Sequence, residues 1–126
     1  MSLDNRPVYL NLFKIKLPVT GIISIFHRLT GILLFLAIPV SLYLLQLSIT
    51  DGLSFERVTT LMLEPVSRFF ILLIIWSFVH HFFVGIRFLL IDLEFFLSRK
   101  SSRVSAWGVV AFEFIVMLVV IKGLFL

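Results

Sequence analysis

Long apolar runs alternate with short polar stretches along this chain. Three of the runs, 22–47, 67–93 and 104–124, approach or exceed the roughly 20 apolar residues that a helix needs to cross a bilayer core. They predict an all-α membrane protein with three transmembrane helices in a single domain, residues 1–126. The stretch between the first two runs, residues 48–65, is polar and predicts a short loop.

Basic residues are distributed unevenly between the predicted sides of the membrane. The N-terminal segment 1–21 is rich in Lys and Arg, as is the second connection with Arg99, Lys100 and Arg103, whereas the first connection holds only Arg57. The positive-inside rule therefore places the N-terminus in the cytoplasm and the C-terminus outside. We expect the N-terminal segment to be retained, because the apolar run after it is too long for a signal peptide.

Composition narrows the possible functions. Hydrophobic residues make up 60% of the chain and the mean hydropathy is +1.15, well above a soluble domain with roughly 45–50% apolar residues. The net charge is +4, and the charged residues lie mainly between the apolar runs, whereas the Phe residues lie within them. A nucleic-acid-binding surface would group basic and aromatic residues on one face, so we exclude this function. The chain has no Cys, so any iron that it binds must be held by histidine.

Two adjacent histidines stand in the middle of the second apolar run. A charged side chain at this depth costs about 2.5 to 3.5 kcal/mol, so an ionisable residue there predicts a functional site with a partner. On a helix, His81, Gly85, Phe88 and Asp92 share one face, and His80 points in a different direction. Gly85 leaves a notch beside His81 that a large flat group such as a porphyrin could enter. The alternative is a histidine that only hydrogen-bonds a neighbouring helix.

A second polar cluster lies at the start of the first apolar run. Ser24 and Arg28 are four residues apart and share a helix face, while His27 and Gly31 share a neighbouring face. Arg28 carries a fork of donors that suits carboxylates such as the haem propionates. Ser24 and Arg28 could also hydrogen-bond a quinone headgroup. The alternative for Arg28 alone is a side chain that extends along the bilayer to lipid phosphates.

The chain resembles the cytochrome b556 membrane-anchor subunits of succinate dehydrogenase, the complex that oxidises succinate and reduces ubiquinone. The resemblance covers most of the chain. It is carried by RPVYLNL from Arg6, by LPVTGIISIFHRLTG over residues 17–31 and by HFFVGIRFLLID over residues 81–92. These motifs occur in the expected order and spacing within three spans.

The resemblance implies a function for each of these motifs. His81 is implied to be an axial ligand of haem b, with the other ligand supplied by a second small membrane-anchor subunit. Ser24 and Arg28 are implied to form part of the ubiquinone site, and His27 and Arg28 to lie near the haem propionates. The resemblance also implies an iron–sulfur subunit with its clusters and a flavoprotein subunit with FAD. This chain alone then performs no catalysis.

Two positions depart from the family pattern. Phe88 stands where many relatives have a histidine after the GIR motif, so any contact made by that histidine is absent. His80 offers a rival ligand one residue away, although the spacing to Gly85 favours His81. The resemblance carries over no role for Asp92 or Glu113.

Other functions remain compatible with the residues. One is an anchor subunit of fumarate reductase, and another is a small transporter or assembly subunit that binds no haem. A third is a structural protein in which the polar groups only join helices. We expect a bacterial inner membrane, with the lipid bilayer as surroundings, rather than a mitochondrial one, because the segment before the first span lacks the features of a transit peptide.

Overall fold

The computed structural model describes residues 16–125, and within this range the secondary structure is entirely helical. Its four helices are α1, Val19–Ser48; α2, Gly52–Leu63; α3, Pro65–Asp92; and α4, Arg99–Phe125. Helices α1, α3 and α4 are long and apolar enough to cross a membrane. The predicted all-α architecture with three membrane-spanning helices is therefore confirmed.

Part of the topology remains a prediction. It concerns the sides of the membrane on which the two termini lie. Most of the predicted N-terminal segment, residues 1–15, lies outside the described residues.

The predicted loop between the first two spans is wrong, because most of it forms α2. Asp51 caps this helix: the Ser54 amide donates to Oδ1 at 2.8 Å and the Ser54 hydroxyl donates to Oδ2 at 3.0 Å. These hydrogen bonds lower the pKa of the Asp51 carboxyl from its usual 3.8. The acidic and basic side chains that suggested a loop, Glu56 and Arg57, lie on the exposed side of α2, whereas Val58 is buried.

The three membrane-spanning helices meet at a small apolar core. Ile23 of α1, Val84 of α3 and Ala106 of α4 are buried together at this point. Most other large apolar side chains, including many Phe and Leu residues, are exposed on the outer surface of the helices. Such a surface is suited to lipid and to other membrane subunits.

Polar contacts join α3 to α4 beside this core. Arg87 is only 3% exposed. Its Nε donates to Ser105 Oγ at 3.0 Å, and its Nη2 donates to the Ser102 carbonyl at 2.9 Å and to Ser102 Oγ at 3.0 Å. The guanidinium of Arg87 is therefore committed to packing α3 on the first turns of α4.

We predict that Asp51→Ala exposes the first turn of α2. The variant lacks the oxygens that accept from Ser54, so the Ser54 amide should exchange with deuterium faster than in the native protein. The hydrogen bonds from Ser54 lower the pKa of the Asp51 carboxyl in the folded protein. The stabilisation that they give to α2 is therefore complete above pH 3.8, the ordinary pKa, and is lost as the pH falls through the lowered pKa. Hydrogen exchange at neutral pH tests this. Asp51→Asn keeps one accepting oxygen but not the charge, so its exchange rate should lie between those of the native protein and Asp51→Ala; equal rates in all three proteins would contradict the capping role.

Candidate functional site

Two histidine–glycine pairs join α1 to α3. His27 and Gly31 are one turn apart on α1, and His81 and Gly85 are one turn apart on α3. A Cβ on Gly31 would lie 3.0 Å from His81 Cε1, and a Cβ on Gly85 would lie 3.5 Å from His27 Nε2. Since the helices run antiparallel, each glycine receives the histidine of the other helix. We call this arrangement the histidine–glycine interlock.

The two histidine rings stack on each other within the interlock. Their centroids are 4.1 Å apart and their planes differ by 6°. Phe88 meets the His27 ring edge-on, with centroids 5.1 Å apart. His27 Nε2 is buried and has no hydrogen-bond partner among residues 16–125. The Nε2 edge of the His27 ring is thus enclosed between the helices.

The hydrogen bond of His81 determines which ring nitrogen is free. His81 Nδ1 lies 3.0 Å from the His27 carbonyl oxygen. A carbonyl oxygen only accepts, so in neutral His81 the proton is on Nδ1 and Nε2 carries the lone pair. The side chain is half-buried, and Nε2 is not among the enclosed polar atoms. His81 therefore presents a basic ring nitrogen at the surface of the chain.

His80 has a different environment. Its Nδ1 lies 3.0 Å from Glu113 Oε2 on α4, and the two residues are 4% and 6% exposed. His80 Nε2 and Glu113 Oε1 are both buried without a hydrogen-bond partner among the described residues. The prediction that the adjacent histidines point in different directions is confirmed. Their spacing along the sequence did not identify Glu113 as the partner of His80, because the pair is 33 residues apart.

The expected notch at Gly85 is occupied by protein. Sequence spacing predicted that Gly85 makes room for a flat ligand beside His81, but the His27 ring fills that space. This prediction is wrong because helix periodicity shows which face a glycine lies on and does not show which neighbouring side chain packs there. The glycine in contact with His81 is Gly31, which the helical spacing places only on the face of His27.

Ser24 and Arg28 lie on α1 beside the interlock. Arg28 is exposed and Ser24 is half-buried, and they are one turn apart. Within residues 16–125 the Arg28 side chain makes no ion pair, since the pair of His80 and Glu113 is the one found there. The structure thus brings Ser24, His27, Arg28 and His81 into one region. Asp92 is exposed at the end of α3, away from these side chains along the helix.

Comparison with known proteins identifies the family. The family model for the succinate dehydrogenase/fumarate reductase transmembrane subunit matches residues 2–120. A succinate dehydrogenase cytochrome b556 subunit of Coxiella burnetii is 38% identical over 114 residues, which cover 87% of this chain and 89% of the relative. Subunits of the same name from Rickettsia felis and Rickettsia prowazekii are 29% and 27% identical; each match covers 85% of this chain and 83% of the relative. The resemblance seen in the motifs is confirmed: the chain belongs to the succinate dehydrogenase/fumarate reductase transmembrane subunit family.

Proposed function

We propose that this chain is the cytochrome b556 anchor subunit of a succinate:ubiquinone oxidoreductase in a bacterial inner membrane. In this role His81 is one axial ligand of haem b, and Ser24 and Arg28 form part of the ubiquinone-reduction site. Family membership and the names of the relatives support the complex. The hydrogen bond from His81 Nδ1 to the His27 carbonyl is the observation that carries the ligand assignment.

The environment of His81 fits a haem ligand. Histidines that bind metals commonly donate their other ring N–H to a carbonyl or carboxylate, which orients the ring and makes the ligating nitrogen more basic. The His27 carbonyl accepts this hydrogen bond and also one from the Thr30 hydroxyl at 3.0 Å. Haem b supplies reversible one-electron transfer when it is bound. A second small anchor subunit provides the other axial ligand in this proposal.

Arg28 and Ser24 have the chemistry that a quinone site requires. Arg28 is a permanent cation with several donors, and Ser24 carries a hydroxyl one turn away. Both can donate to a quinone carbonyl and stabilise the negative charge that develops on its oxygen during reduction. Arg28 is also better placed than His27 to bind a propionate, because Arg28 is exposed and His27 Nε2 is enclosed.

The remaining chemistry belongs to the other subunits. In the proposed complex, FAD in a flavoprotein subunit would accept the electrons of succinate and clusters in an iron–sulfur subunit would carry them to the quinone site. This chain would anchor those subunits to the membrane. The family description covers both succinate dehydrogenase and fumarate reductase. We favour succinate oxidation because the three relatives described above are all named as succinate dehydrogenase subunits.

We predict that His81→Ala abolishes the b-type haem spectrum of the purified complex, because His81 Nε2 carries the lone pair and is not enclosed, whereas His27 Nε2 and His80 Nε2 are buried. A reduced-minus-oxidised absorption spectrum measures this, and flavin content shows whether the complex is still assembled. His80→Ala should retain the haem bands. A native spectrum in His81→Ala together with its loss in His80→Ala would reverse the ligand assignment.

We predict that Gly31→Ala displaces the His81 ring, because the added Cβ would lie 3.0 Å from His81 Cε1. Overpacking of this kind costs about 1–3 kcal/mol, whereas the better helix propensity of alanine returns at most about 1 kcal/mol. The temperature at which the haem signal is lost should therefore fall.

Gly85→Ala is the matched control for this variant, since its Cβ would make an ordinary 3.5 Å contact with His27 Nε2. It should leave the haem signal close to native. If both alanine variants lost haem at the same temperature, the prediction that the close contact of His81 with Gly31 stabilises haem binding would be wrong.

We predict that Ser24 and Arg28 are needed for quinone reduction and not for succinate oxidation. Losing one hydrogen bond in Ser24→Ala should lower the ubiquinone reductase rate about tenfold, and losing the cation in Arg28→Ala about a hundredfold. Succinate oxidation with an artificial acceptor that takes electrons from the soluble subunits should stay native. Ser41→Ala, farther along α1, is the control for a serine outside the site. Equal losses with both acceptors would indicate misassembly and contradict the quinone role.

A further inference from the structure

The proposed haem site poses a problem of choice between two ligands. His80 and His81 are adjacent, and consecutive side chains on an α-helix point about 100° apart. Both carry an imidazole that can bind iron. If His81 is the ligand, as the proposed function holds, other contacts must fix the rotation of α3 about its axis. They must also bind the His80 ring so that it cannot reach the iron.

Glu113 is the hydrogen-bond partner of the His80 ring. The carboxylate Oε2 lies 3.0 Å from His80 Nδ1, in surroundings that leave both residues less than a tenth exposed. The ring also packs against Trp76, with centroids 5.6 Å apart, and against Phe26, at 6.2 Å. Its remaining nitrogen, Nε2, is buried. His80 thus presents neither ring nitrogen to a group outside the chain.

The contact also opposes rotation of α3. His80 lies on the same face of α3 as Ser77, Val84 and Arg87, all of which are buried. Arg87 makes its own hydrogen bonds to α4, seven residues beyond His80. Two polar contacts therefore hold this face against α4, and the neighbouring face with His81 remains directed towards α1. An unpaired carboxylate at this buried position is unfavourable, which strengthens the preference for this rotation.

We propose that Glu113 is a positioning residue that selects the haem ligand. By accepting a hydrogen bond from His80 it holds His80 away from the iron, and it keeps His81 on the face where the His27 carbonyl sets its tautomer. Glu113 does not touch the haem in this arrangement. It acts through His80, and the hydrogen bonds of Arg87 to α4 hold the rotation of α3 when the contact between His80 and Glu113 is absent.

Three variants of the assembled complex test this role. Glu113→Leu removes the acceptor and releases His80. Glu113→Gln keeps a side-chain oxygen that can accept from His80 Nδ1. The double variant Glu113→Leu with His80→Phe removes the rival ligand, and the Phe ring retains the aromatic contact with Trp76. The measurements are the electron paramagnetic resonance spectrum of the oxidised haem and its redox titration, neither of which depends on turnover.

We expect one low-spin haem species in the native complex and in Glu113→Gln. Glu113→Leu should show a second species with a shifted midpoint potential, and the double variant should return to a single species. An unchanged signal in Glu113→Leu would overturn the proposal. A mixed signal that persists in the double variant would also overturn it, because Glu113 would then only hold the bundle together.

Assembly provides a second readout. If Glu113→Leu fails to assemble, a double variant that assembles with one haem species supports the role, because the harm then comes from the released His80. A double variant that also fails to assemble contradicts it.

The spectrum of His81→Ala distinguishes a failure of this proposal from a failure of the proposed function. Haem that survives His81→Ala removes the ligand assignment itself, whereas haem lost in His81→Ala but normal in Glu113→Leu removes only the role of Glu113.

Discussion

The contact between α1 and α3 depends on two small residues that each receive a histidine ring. In a bilayer, apolar side chains gain little by leaving lipid for protein, so helices associate through close packing and hydrogen bonds. The histidine–glycine interlock supplies both: rings stacked at 4.1 Å and a hydrogen bond of 3.0 Å from one helix to the backbone of the other. The relative positions of Ser24, Arg28 and His81 follow from this contact.

Two faces of α3 contact different helices. One face, with His81, Gly85 and Phe88, meets the His27 side of α1. Another carries His80 and Arg87, whose polar atoms are bound by α4. Because adjacent positions on a helix differ in direction, two consecutive histidines can serve different purposes. One is held inside the protein, and the other keeps an accessible nitrogen.

The sequence predicted the parts of this structure that depend on local pattern. Apolar run length located the spans, and the helical period separated His80 from His81. The same reasoning failed where the answer lies in another segment. It did not find Glu113 as the partner of His80, and it left the space at Gly85 open to a ligand. It also read the charged residues around α2 as a loop, although Asp51 provides a helix cap there.

The two arginines in the apolar spans, Arg28 and Arg87, differ in burial and in the partners of their guanidinium groups. Arg87 is buried, and its Nε and Nη2 donate to Ser102 and Ser105, so its charge is already used in joining α3 to α4. Arg28 is exposed, and within residues 16–125 no carboxylate pairs with it. A cation at a membrane-spanning position is costly unless it is paired or solvated. A quinone oxygen or a propionate beside Arg28 would supply that missing interaction, which is the physical reason why we propose Arg28, and not Arg87, as the ligand-binding arginine.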